Sequence, residues 1–183
     1  MNKELSFLDL SPKTNFTKTW QGKCFACSPK NEHGLKLTFT HVPGYCYSRY
    51  NIPTDYCGFE TMAHGGIIAT LLDEVSGWTI MTNRFKFAFT MEATIKYLKP
   101  VPINTDLLIV GKIESESGQN IFIKSSIYLE NGLLLAEMDS KWFSPTQDQA
   151  MKITGRSTQS LEKYAQEAFS EIKKALGVVE EGQ

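Results

Sequence analysis

The order of elements along the chain predicts an α+β fold, with one long helix wrapped by a single curved antiparallel sheet. Three observations carry this. Two strand-like stretches come first, between residues 34 and 52. An apolar run long enough for a helix follows at 64–82. Four more strand-like stretches then fill 89–143. At 183 residues, 42% of them hydrophobic, the chain is one domain's worth and can bury a core.

Each element has its own signal. Leu35, Leu37 and Phe39 alternate with Lys36, Thr38 and Thr40, the period of a strand. Pro43-Gly44 makes a turn, the alternation resumes from Tyr45, and Pro53 stops it. In 64–82, Ile67, Ile68, Leu71, Leu72, Val75, Trp78, Ile80 and Met81 cover nearly the whole circumference of a helix, so the helix should be buried on most sides. Residues 89–98 alternate again and are closed by Pro100 and Pro102. Strands at 105–115, 120–130 and 133–143 follow as an antiparallel meander, the last two joined by the hairpin pair Asn131-Gly132. Residues 144–157 read as a polar connector. Leu161, Tyr164, Ala165, Ala168, Phe169, Ile172 and Leu176 then recur at helical spacing, which predicts an amphipathic helix packed on the body or on a partner subunit. The expected organisation is an arm at 1–23, a main domain at 24–145, and a connector with the final helix at 146–183.

Composition excludes several classes. A net charge of −1 gives no bulk attraction to nucleic acid or membrane surfaces. A mean hydropathy of −0.24 and the lack of a long apolar run exclude a transmembrane helix. The first residues lack an apolar leader core, so a secretory signal is not expected and a cytoplasmic location is. Four cysteines are too few for a disulfide scaffold at this length. Cys24-x-x-Cys27 with His33 suggests zinc, but there is no second CxxC and no nearby His pair. Cys46 and Cys57 would complete a site only if the fold brought them close. A loop clasp with reduced thiols is therefore expected, and no metal or organic cofactor.

Asp73 stands out. A carboxylate among Leu71, Leu72 and Val75 is costly unless it is paired or functional, and burial would raise its pKa toward that of a general base at neutral pH. The alternative is a place on an exposed strip or beside a basic side chain. At the helix start, Gly65-Gly66 lets another group approach free backbone N–H groups; a plain tight turn is the alternative. Arg84, Lys86, Lys96 and Lys99 could hold phosphates or be solvated charge. Phe85, Phe87 and Phe89 could wall an apolar pocket or be core. Glu74, about 100° round the helix from Asp73, is expected to make a structural hydrogen bond or ion pair.

Three blocks then carry a resemblance: His64-Gly65-Gly66 followed by Ala69-Thr70-Leu71-Leu72-Asp73-Glu74; Tyr97-Leu98-Lys99-Pro100-Val101-Pro102; and Cys24-Phe25-Ala26-Cys27…Asn31…Gly34-Leu35. Over residues 20–144 the chain resembles the PaaI-like hotdog-fold acyl-CoA thioesterases, in a subgroup that opens with the cysteine block. The resemblance implies hydrolysis of an acyl-CoA or related acyl thioester to an acid and a free thiol. It implies Asp73 as general base or nucleophile and the Gly65 N–H as the donor to the carbonyl oxygen. Thr90 falls where relatives orient water with a Ser or Thr. His64 would assist the carbonyl or fix the loop, and its ring can titrate near neutrality. Gly66, Arg84, Lys86, Phe89 and Lys99 are the expected substrate contacts.

Spacing adds a further expectation. Gly65 and Asp73 are eight positions apart, about 12 Å along a helix, yet both must come within about 3–4 Å of one thioester carbon. Two antiparallel copies meet that requirement, so a site shared within a homodimer, or a dimer of dimers, is expected. The rival functions are a hotdog protein that binds acyl-CoA without cleaving it and a hotdog hydratase or dehydratase.

Overall fold

The computed structural model describes residues 22–178. Most of the expected arm at 1–23 thus lies outside the described residues. The elements run β1 (Thr40–Val42), β2 (Tyr45–Asn51), β3 (Cys57–Phe59), β4 (Met62–Ala63), α1 (Gly65–Arg84), β5 (Phe89–Tyr97), β6 (Asp106–Ser117), β7 (Asn120–Leu129), β8 (Leu134–Phe143), α2 (Gln147–Thr154) and α3 (Thr158–Leu176). Six strands form one antiparallel sheet in the order β1-β2-β6-β7-β8-β5, and β3 with β4 forms a small separate ladder.

β6, β7 and β8 form the expected meander, but β5 does not start it. It pairs with β8, Phe89 opposite Phe143 and Tyr97 opposite Ala136, and so forms one edge of the sheet. The first hairpin is also shorter than its alternation suggests. Leu35, Leu37 and Phe39 are buried as expected, yet only Thr40–Val42 pairs with β2. Lys36 takes a left-handed φ of 55°, which interrupts an extended ladder, and Leu35 and Leu37 donate their N–H groups to Phe25 and Ala26 instead.

α1 lies across the sheet. Ile68, Leu71, Leu72 and Val75 join Leu107, Ile109, Ile127, Leu135 and Met138 in one apolar core. The approach is close: a Cβ on Gly111 of β6 would run into the Thr79 hydroxyl and the Val75 carbonyl. The buried hydroxyls of Ser76, Thr79 and Thr82 are satisfied by carbonyls one turn back, at 2.7–2.8 Å. A helix apolar all round needs cover on its second side as well. The 24–39 segment supplies it, with Ala26, Cys27, Leu35 and Leu37 buried and Phe39 stacked on Trp78 at 5.1 Å.

The stretch read as a polar connector holds α2, which starts on a capping box between Thr146 and Gln149. α3 then packs back on the body. Ile172 is buried in the main core, and Phe87 meets Tyr164 and Phe169 at 5.3 and 4.6 Å.

Candidate active site on the central helix

His64 is the N-cap of α1. Its backbone is extended, with φ −62° and ψ 137°, and its Nδ1 accepts the Gly66 N–H at 3.0 Å. The Ile67 and Ile68 N–H groups go to the His64 carbonyl. Of the first-turn donors, that leaves the Gly65 N–H, which has no hydrogen-bond partner among the described residues and sits at the exposed tip of the helix. Such an N–H, at the positive end of a helix, can hold an anionic oxygen. Tyr97, at the far end of β5, donates its hydroxyl to the Gly65 carbonyl at 3.2 Å and so pins this tip to the sheet edge.

Two turns on, Asp73 meets the other end of β5. Thr90 donates its hydroxyl to Asp73 Oδ1 at 2.7 Å. This is a short charge-assisted bond that fixes the carboxylate and leaves Oδ2 free of it. Asp73 is not sealed in apolar surroundings as its neighbours in sequence suggest; it is half-buried beside an edge strand that is open to solvent. The carboxylate that faces the covered flank is the next residue, Glu74, itself half-buried. Burial pushes its pKa up to about 7. It accepts from the Trp78 Nε1–H at 3.1 Å and lies 3.5 and 3.6 Å from Cys24 Sγ. A hydrogen bond with Cys27 draws the Cys24 thiol down to about 5, and the same bond raises Cys27, which burial raises further. All four cysteines are free. His33, Cys46 and Cys57 stand apart from this cluster.

The other sequence-derived residues divide between the two ends of α1. Gly66 and Lys99 belong to the start: the Gly66 N–H is occupied by His64, and Lys99 borders a recess of about 490 Å³ with Thr61, Met62, Pro102 and Leu135. Arg84, Lys86 and Phe89 belong to the finish. Arg84 is paired with Glu116 of β6 and also reaches the Asn83 carbonyl. Lys86 is exposed and Phe89 partly so. Phe85 caps α1 in a left-handed conformation and Phe87 receives α3. Sequence reasoning missed two contributors: the Tyr97 anchor and the packing of Glu74 against Trp78 and Cys24.

Residues 61–136, from the loop before α1 into β8, match the family model of the Thioesterase superfamily. The fold is the hotdog fold. The match begins after the cysteine block at 24–35. Solved hotdog structures resemble the chain at low identity. A thioesterase superfamily protein superposes with a TM-score of 0.63 at 22% identity, over 67% of this chain and 60% of its own. The chain thus spans about three-fifths of that protein's length. A hypothetical thioesterase from Streptococcus pneumoniae, solved with coenzyme A, gives 0.56 at 19% identity over 59% and 87%. The PaaI protein of the E. coli phenylacetic acid degradation operon gives 0.56 at 15% over 60% and 83%. No curated protein matches the sequence. No helix among the described residues is long and apolar enough to cross a membrane.

Proposed function

We propose that the protein hydrolyses an acyl-CoA or related acyl thioester at a site shared by two copies of the chain. The carrying observation is the Asp73–Thr90 pair at 2.7 Å on an open flank of the same helix whose tip offers the Gly65 N–H. Coenzyme A in the streptococcal hotdog structure supports the substrate class, and other structures of that protein carry an Asp-to-Ala or a Thr-to-Ala mutation.

Thr90 holds Oδ1, so Oδ2 of Asp73 takes a proton from water while the water oxygen attacks the thioester carbon. The carbonyl oxygen becomes an oxyanion and accepts the Gly65 N–H of the second copy. Collapse breaks the C–S bond; the thiolate leaves and takes the proton back from Asp73.

The sheet edge supports the pairing. β5 is nine residues long, and none of them is fully buried; Met91 and Tyr97 are 64% and 54% exposed. A bare edge strand of that length is a template for pairing with another chain.

The test measures coenzyme A release chromatographically over a panel of acyl-CoAs, which avoids reagents that would also label the exposed Cys57. Release that vanishes in Asp73→Ala supports the reading; binding without release overturns it in favour of a non-hydrolysing binder. Sharing is tested with Gly65→Pro. Proline suits the first helical position and the extended residue before it, so the change removes little beyond the N–H. A Cβ there meets only the Tyr97 ring, at 3.8 Å. Mixing Gly65→Pro chains with Asp73→Ala chains should restore about a quarter of wild-type activity, because half the dimers are mixed and one of their two sites is intact. No recovery on mixing overturns the shared site.

A further inference from the structure

On the flank of α1 away from Asp73, three metal-binding side chains converge. Cys24 Sγ, Cys27 Sγ and a Glu74 carboxylate oxygen all lie within 4.8 Å of one another. We propose that they form a zinc site, with the fourth position open to water on the partly exposed Cys24 side.

The distances suit the ion. Zinc at about 2.3 Å from sulfur and about 2.1 Å from oxygen, with tetrahedral angles, sets a sulfur and an oxygen about 3.6 Å apart. Cys24 Sγ lies 3.5 and 3.6 Å from the two Glu74 oxygens. The surroundings are already arranged for anionic ligands. The Ala26 and Cys27 N–H groups point at Cys24 Sγ at 3.3 and 3.4 Å, a turn that favours a thiolate. Trp78 Nε1–H orients the carboxylate from behind at 3.1 Å, as outer partners of metal ligands do.

Charge points the same way. Glu74 takes part in none of the ion pairs among the described residues, and a carboxylate partly withdrawn from water without a cation is costly. A dication answers that cost. The loop that delivers the sulfurs is built for the purpose: Gly34 has no room for a Cβ against the Phe25 carbonyl, and the Asn31 side chain bridges Lys23 and His33. On binding, the proton of Cys27 and any still held by Cys24 or the Glu74 carboxylate pass to solvent, and both sulfurs bond the metal as thiolates. The ion would tie residues 24–27 to α1 one position from Asp73.

The test uses the full chain, reduced and stripped with a chelator, and titrated with Co²⁺. One Co²⁺ per chain is expected, with thiolate-to-metal charge-transfer absorption and the visible bands of a tetrahedral ion, all displaced by Zn²⁺. Glu74→Gln should weaken binding roughly 100-fold, Cys24→Ser should weaken it too and leave about half of the charge-transfer band at saturation, and Cys57→Ser should change neither. The absence of a saturable band in the unaltered chain overturns the proposal, as does a band whose intensity Cys24→Ser leaves unchanged or that disappears with Cys57→Ser. Circular dichroism of each variant identifies any that fails to fold, and the unaltered chain remains decisive in that case. The titration is independent of thioester hydrolysis, so either reading can fail without the other.

Discussion

Asp73 and Glu74 are neighbours in sequence and opposites in setting. Asp73 lies on the flank beside the bare β5 edge, held by one hydroxyl. Glu74 lies under the 24–39 segment, gripped by an indole N–H and lying against two thiols. The difference teaches that a helix covered on one flank and open on the other can divide two carboxylates between two tasks. In the proposed reaction the open one keeps an oxygen for the substrate. The closed one holds the architecture together.

Substitutions can break this division. Asp73→Ala should cost the most: about 10³-fold in kcat, within the range for a lost general base, with thermal stability almost unchanged. A variant that melts early while still turning over would reverse the assignment. Glu74→Ala should do the opposite. Removing the acceptor of the Trp78 N–H should cost about 2 kcal/mol in urea unfolding, while the rate per folded molecule is retained. Thr90→Val comes next, with kcat down about tenfold, since a charge-assisted hydrogen bond contributes roughly 1.5 kcal/mol; equal loss of kcat and of stability would make Thr90 a packing residue. The smallest effect serves as a control lying off both flanks. Burial lowers the pKa of His41 in β1, and its Nδ1 has no partner among the described residues. A folded pKa below the unfolded one means its contribution is present above pH 6.5 and lost as the pH falls through the folded value. The urea midpoint should therefore drop between pH 7 and pH 5, and His41→Gln should flatten that slope without touching hydrolysis.

Much of the frame was legible because it is local. β6, β7 and β8 follow from alternation and from Asn131-Gly132, whose Gly132 takes a φ of 86°. Long-range pairing was not legible: nothing near residue 89 says that the strand will join β8 rather than β6. α2 was readable and overlooked, since Thr146 and Gln149 stand at capping-box spacing. The contrast between Asp73 and Glu74 was out of reach. In a helix apolar nearly all round, the periodicity does not tell which flank is covered. That is decided by a loop whose Cys24 meets Glu74 across 50 positions of sequence.

The two margins of the sheet are unequal. One ends in β1, a stub of three residues; the other ends in β5, nine residues long and bare. In the pairing proposed above, the β5 rims of two copies meet about a twofold axis and occupy each other, so the joint closes on itself, whereas a fibre needs a second such joint on every member.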